Sequence, residues 1–224
     1  MTRGPVTDQG FTRAKIKIAS IDIDQDLRRI DAAASQLQDS GHLAVDAMTA
    51  YDAQTGPAAA SRLANCGLWW FEDVCDPLDF ETQAKIAAAY CGSIAAGEAL
   101  FSHAEAKLLN LYGGIQKDKD ILVFDPVHCY GLPGYLRIVE HLTSEGWPRQ
   151  ALWPHGGHLF SLHVVAALGL GGAEVTPFAF RPFRGLPDHK GVTAGYADLP
   201  QAPGISFEMH TEARQLFRTA FSLH

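Results

Sequence analysis

The sequence has no CxxC pair; its four cysteines, Cys66, Cys75, Cys91 and Cys129, stand apart. That spacing argues against a cysteine-bound zinc knot and against the dense disulfide frame of a small secreted domain, and suits a reducing compartment. No apolar run approaches the roughly 20 residues of a bilayer-spanning helix. The N-terminus, MTRGPVTDQGFTRAKIKIAS, lacks the apolar core of a signal peptide. A basic excess is also missing. Eighteen Lys and Arg against 25 Asp and Glu leave a net charge of −7, the wrong sign for a nucleic-acid-binding face. These absences predict a cytoplasmic protein without a membrane or nucleic-acid partner. Apolar residues, by contrast, are plentiful. They make up 47% of 224 residues, enough to bury a sizeable core.

Along the chain one pattern repeats, a short β-rich run followed by a helical period. Strands are predicted at 14–18, 43–47, 69–73, 94–98, 121–125, 151–155 and 173–177. After the first, Leu27, Ile30, Ala34 and Leu37 recur at helical spacing, with Gly41 as a stop. Further helices are predicted at GPAAASRLANCG, DFETQAKIAAAYCG, GYLRIVEHLTSEG and LHVVAALGL. Ser102 and Glu105 are spaced as a capping box. Alternation of this length predicts parallel βα units, hence an α/β fold. The stretch 181–224, rich in Gly and Pro, reads as loops plus a terminal helix at TEARQLFRTAF, so residues 1–224 are expected to form one domain.

Ionisable residues gather at the predicted strand ends. Lys15 and Lys17 lie in the first strand, Asp46 ends the second, Glu72 and Asp73 the third, Glu98 the fourth, Asp125 the fifth and His155 the sixth; Glu174 lies in the seventh. If such a sheet closes into a barrel, these groups converge on its C-terminal mouth, where barrels do chemistry. Asp46, Glu72 and Glu98 recur at a constant interval and present three carboxylates to one hard cation, for which Mg²⁺ is the natural candidate.

Each residue taken singly has a plainer explanation. An acid at a strand end is ordinarily a helix cap, and two lysines on one strand are ordinarily an exposed edge. His155 and His158 form an HxxH without a third ligand nearby, a weak zinc signal. Cys129, beside His128, reads as buried packing, and His163 on an apolar helix as a satisfied core residue. The joint arrangement, a functional group at every strand end, is what outweighs these.

KIK, VDA, WFED, AGE, FDP and PHGGH, in this order, resemble the barrel domain of the enolase superfamily on its mandelate racemase side. DQDLRRIDA, CDPLDFE, CYGL, LGLGGAE and APGISFE are similar to segments of tartrate dehydratase-type enzymes. The likeness runs from about Gly10 to the end. It implies an enolase-type (β/α) barrel and a Mg²⁺-dependent lyase, a dehydratase acting on a small carboxylate such as tartrate. It also implies roles: Asp46, Glu72 and Glu98 as metal ligands, Lys17 as the base that removes the proton α to a carboxylate, and Lys15 as the group polarising that carboxylate. Asp125 matches the partner of a catalytic histidine, His155 that histidine, and Glu174 a substrate-binding residue, with His158 in reserve as acid or substrate contact.

The chain departs from this pattern in three places. Met48 replaces a usual Asn, and EDV replaces EEP, leaving Asp73 but putting Val74 where a proline is usual. The family's N-terminal capping domain and first barrel strand would precede KIK, so an incomplete barrel is expected, either homo-oligomeric or completed by a missing N-terminal region. The alternatives are another acid-sugar dehydratase or racemase of the same superfamily, or a catalytically silent fragment.

Overall fold

A computed structural model describes residues 9–176, 191–201 and 204–221, with isolated positions from 182 to 188. Five parallel strands pair in chain order: β1 (Ala14–Lys17), β2 (Leu43–Asp46), β3 (Phe71–Glu72), β4 (Ile94–Ala96) and β5 (Ile121–Leu122). Helices α1 (Ile23–Ala34), α2 (Gly56–Leu63), α3 (Phe80–Ala89) and α4 (His103–Tyr112) return the chain between them, and α5 (Leu132–Ser144) and α6 (Leu159–Leu168) follow β5. This is the α/β arrangement predicted.

Local chemistry sets the helix starts. Asp22, Asp79 and Ser102 each cap a helix by accepting a backbone N–H three residues on. The capping box of α4 forms: Ser102 Oγ accepts from Glu105 N at 3.2 Å, and Glu105 Oε2 accepts from Ser102 N at 2.8 Å. α1 stops earlier than its periodicity predicted, at Ala34. Leu37 therefore lies outside the helix, yet still packs on the core.

Two predicted strands are corrected. Residues 151–155 do not form a strand; a 3₁₀ turn (Arg149–Ala151) leads into one parallel bridge, Leu122 with Leu152. Residues 173–176 are not strand either, and 177 lies outside the described residues. Pro154 has no N–H to give a ladder, and Gly156, Gly157, Gly171 and Gly172 are weak strand formers. Three separate hydrogen bonds hold this wall instead: Gly171 N to Leu152 O at 3.1 Å, Glu174 N to Pro154 O at 3.2 Å and Thr176 N to Gly157 O at 3.2 Å. In the tail, β6 (Val192–Thr193) and β7 (Tyr196–Ala197) form an antiparallel hairpin that was not anticipated, before the expected helix α7 (Thr211–Ala220).

The two-residue period of a strand sorts the side chains into layers. Leu43, Val45, Phe71 and Ile94 join the cluster beneath the early helices, and Leu122 the one beneath α4 and α5. The alternate residues Ala44, Trp70, Ala95 and Val123 form a separate cluster, with Trp153 packed against it. Small alanines leave the space that the tryptophans fill. The rings of Trp69 and Trp153 meet edge to face at 4.8 Å. Two residues beyond this apolar layer, in the same phase, come Asp46, Glu72, Asp125 and His155. A second layer, of ionisable groups, therefore sits directly above the apolar one.

Cys75 and Cys129 are buried, which pushes each thiol up to about 12, whereas Cys91 is exposed. With a thiol reagent at ~pH 8, where only thiolates react, Cys91 should be modified promptly. Cys75 and Cys129 should react only on unfolding; prompt modification of either would place it outside the core.

Candidate active site

The ionisable layer is built from the ends of successive strands. β1 pairs with β2 so that Lys17 lies beside Asp46, and β2 with β3 so that Asp46 lies beside Glu72. Register alone thus sets three of the groups in a row. At β4 the phase changes: the residue two beyond Ala95 is Gly97, and the acid comes one later. Gly97 has φ +126, and a Cβ there would meet the Phe124 ring at 3.2 Å. The glycine lets the chain turn so that Glu98 rejoins the cluster. Asp46, Glu72 and Glu98 each offer a carboxylate oxygen, all within 4.8 Å of one another.

Two lysines meet these acids. Lys15 is ion-paired to Glu72 and Glu174, and lies 3.4 Å from Asp46. Lys17, half exposed, is paired to Asp46. The Lys15–Glu174 pair is also architectural. It joins β1, the first strand, to the last described stretch of wall, so the sheet curls back on itself as a barrel does. Beside this seam lies a cavity of about 940 Å³ bordered by Arg13, Lys15, Trp69, Trp153, Glu174 and Tyr196. It reaches Glu72 and His155 but not Asp46 or Glu98.

Burial and charge compete at each acid. Burial pushes Glu72 up to about 7 against the pull of Lys15. Burial would also raise Asp46, but Lys15 and the bond from Lys17 outweigh it and hold Asp46 below the usual carboxylate range. Glu174 is likewise held low against burial, by Lys15 and His155. Asp73 makes no ion pair among the described residues, and Lys15 lowers it only weakly. Burial first, then the charges of Glu98, Glu72 and Asp46, drive it well above the usual range. Asp73 also has φ +45, as Met48 and Thr49 have positive φ at the end of β2. Strained backbone of this kind persists where surrounding structure enforces it, and gathers at functional sites.

On the far side stands a histidine–aspartate pair. His155 Nδ1 lies 3.2 Å from Asp125 Oδ2, and its Nε2 points at Glu98 and Glu174, at 3.2 and 3.7 Å. Burial would lower the His155 pKa, but the bond to Asp125 and the charges of Glu174 and Glu98 raise it above the ordinary histidine value. His155 is thereby biased toward its imidazolium form. The contact with Glu98 is close but not aligned as a hydrogen bond, so buried Glu98 Oε2 has no hydrogen-bond partner among the described residues. Three converging carboxylates, one with an unpartnered buried oxygen, make a donor set suited to a hard cation.

His158 is not the zinc partner of His155 that HxxH weakly suggested. It caps α6: Nδ1 accepts from Ser161 N at 3.3 Å, which leaves Nε2 to donate to Asp125 Oδ1 at 3.2 Å. Both ring nitrogens are engaged, so no HxxH metal pair forms. Gly156 is explained by the same contact. Its φ is +103, and a Cβ would lie 2.5 Å from Asp125 Oδ2 and 2.6 Å from the His158 ring. His163, expected to be satisfied in the core, is half-buried and leaves its Nε2 without a hydrogen-bond partner among the described residues.

Two residues of the site escaped the sequence. Trp70 donates from Nε1 to Glu72 Oε2 at 2.6 Å; its strand phase with Glu72 was the available signal. His128 lies three residues past Asp125 and brings Nε2 to 3.9 Å from Asp125 Oδ2.

The family model for enolase C-terminal domain-like proteins matches residues 2–213. The chain belongs to that family. Among curated relatives, the L-talarate/galactarate dehydratase of Salmonella typhimurium is 29% identical over 163 residues, covering 73% of this chain and 39% of its own length. The arabinonate dehydratase of Saccharolobus solfataricus is 26% identical, covering 71% and 42%. A solved structure of the Salmonella dehydratase liganded with Mg and L-lyxarohydroxamate is similar at a TM-score of 0.77 and 25% identity, covering 94% of this chain and 51% of that one. The chain therefore spans about half the length, or less, of these relatives. The described residues include no helix long and apolar enough to cross a membrane.

Replacing Trp70 by Phe keeps the packing but removes the donor to Glu72. A buried acceptor left unpaired costs about 1–3 kcal/mol, and urea unfolding should show a loss of that size. An unchanged midpoint would mean that this hydrogen bond contributes nothing to the fold.

Proposed function

We propose that this enolase-family barrel carries the acid–base and metal-binding half of a Mg²⁺-dependent acid-sugar dehydratase, with a tartrate-like 2,3-dihydroxy diacid as the substrate class. One observation carries the proposal: Lys15 and Lys17 on one side, and the His155–Asp125 pair on the other, flank the Asp46, Glu72 and Glu98 carboxylates. The relatives support the reaction class, because two of them are named dehydratases of sugar acids.

Asp46, Glu72 and Glu98 would hold the ion. When bound, Mg²⁺ supplies electrophilic stabilisation for negative charge building on the substrate carboxylate. The chain's own residues do the rest. Lys15, cationic and oriented by Glu72 and Glu174, would face the substrate carboxylate and stabilise the same charge. Lys17 in its neutral form would take the α proton. The electron pair left behind would form the double bond to the β carbon as the C–O bond breaks. His155, kept protonated by Asp125, would give its proton to the departing hydroxide, which leaves as water. The enol product would then tautomerise to a 2-keto acid.

A second reading keeps the same half-reaction without loss of water. A relative from Agrobacterium fabrum, 25% identical, is a D-galactarolactone cycloisomerase, so a racemase or cycloisomerase outcome is the alternative. Mg²⁺-dependent keto-acid formation from a panel of acid sugars separates the two. The whole enzyme is expected to work as an oligomer or together with the residues that its longer relatives have in addition.

Glu72→Gln removes a charge from the carboxylate cluster and should weaken Mg²⁺ binding measured by calorimetry. Unchanged affinity would show that these acids are structural. Lys17→Ala and His155→Ala should each lower turnover by about 10²–10⁴-fold, but they should differ in deuterated water. Loss of Lys17 should stop exchange of the α proton, whereas loss of His155 should leave exchange detectable while blocking dehydration. A His155→Ala protein that dehydrates normally would remove His155 from the acid's role.

A further inference from the structure

Beyond the three carboxylates, Asp125, His128 and His155 also bring one ligand atom each to within 4.8 Å of the others. We propose that these three residues form a second metal site, one suited to a borderline transition ion such as Zn²⁺ rather than to Mg²⁺. Two imidazoles and one carboxylate are the donors that Zn²⁺, Co²⁺ and Ni²⁺ favour, while Mg²⁺ favours oxygen alone.

The hydrogen bonds around the cluster fix which atoms are free to ligate. His128 Nδ1 lies 2.9 Å from the backbone carbonyl oxygen of Glu98. A carbonyl only accepts, so Nδ1 carries the proton and the lone pair of the neutral ring is on Nε2. That nitrogen lies 3.9 Å from Asp125 Oδ2, close enough for one metal ion to bind both. A backbone carbonyl orienting the far nitrogen is how ligating histidines are usually held. Asp125 is organised in the same sense. Its Oδ1 accepts from Val127 N at 2.7 Å and from His158 Nε2 at 3.2 Å, so Oδ2 is the oxygen turned toward the two histidines. His155 presents Nδ1 to that oxygen at 3.2 Å.

These separations fit a small tetrahedral ion. Bonds of about 2.0–2.1 Å place neighbouring ligand atoms roughly 3.3 Å apart. His155 and Asp125 already stand at that spacing. His128 needs a small ring movement, which its exposure permits, since its side chain is 40% accessible and its ring rests edge-on against Phe101. The fourth position would be left to water. An ion there would occupy His155 Nδ1 and break the His155–Asp125 pair, so it would inhibit the dehydration; this consequence rests on the function proposed above, whereas the site itself does not.

Cobalt(II) tests the site directly, because low-coordinate nitrogen–oxygen ligation gives an intense visible band and six-oxygen ligation a faint one. Co²⁺ is titrated into the chain with excess Mg²⁺ present, the fold being followed by circular dichroism. The band should appear, persist in Glu72→Gln, and vanish in both His128→Ala and His128→Gln. Zn²⁺ should displace Co²⁺, and His128→Ala should weaken Zn²⁺ by at least about 10–100-fold, the cost of losing even an outer partner of a zinc site. A folded chain that gives no band, or a band that excess Mg²⁺ or Glu72→Gln removes while His128→Ala keeps it, overturns the proposal. A normal band on a chain that dehydrates no acid sugar would sink the proposed function and leave this site standing.

Discussion

Several carboxylates share one small volume at the C-terminal mouth of the sheet, and like charges that close must be compensated. Asp46 and Glu72 are buried and Glu98 and Glu174 partly so; Lys15 and Lys17 compensate them, together with His155, whose pKa the neighbouring Asp125, Glu174 and Glu98 raise. Removing one member of such a network would leave a buried charge unpaired, typically a loss of several kcal/mol. The network therefore ties the geometry of the mouth to the register of the strands beneath it. Lys15 is its hub, since it links acids from the second and third strands to the last described stretch of wall.

The same network explains why the mouth is both strained and precise in its glycines. Where the chain leaves a strand it must turn sharply to keep an acid in the layer. Met48, Thr49 and Asp73 do so in the left-handed region, at a cost of order 1–3 kcal/mol each. Gly97 and Gly156 make the turns that a side chain would obstruct. The nearest neighbours of Gly156 are Asp125 and His158, not open space. The pair of glycines in PHGGH thus secures the histidine–aspartate geometry before it bears on access.

Metal chemistry in this mouth divides by ligand type. The carboxylate side, with an unpartnered buried Glu98 oxygen, suits a hard ion, and the histidine side suits a borderline one. His155 stands between them, turning Nε2 to Glu98 and Nδ1 to Asp125. Whether it serves as an acid or as a ligand depends on what lies between it and Asp125.

The primary sequence determined the alternation of strands and helices, the helix caps and the identity of nearly every ionisable group in the mouth. Each of these depends on local chemistry: a two-residue strand period, a capping box, a polar residue where an apolar run stops. Family likeness then assigned the acids and lysines to a shared centre. Tertiary structure decided what local chemistry cannot reach. Residues 151–155 and 173–176 have strand-like composition but lose regular pairing, because Pro154 and the glycines deny them ladder hydrogen bonds. His158 became a helix cap and His128 a member of the aspartate cluster. Nothing in the spacing of PHGGH says which ring nitrogen faces Asp125; for His158 the local cap to Ser161 N decides it, and for His155 the Glu98 and Glu174 side chains, which meet its Nε2 only when the sheet curls.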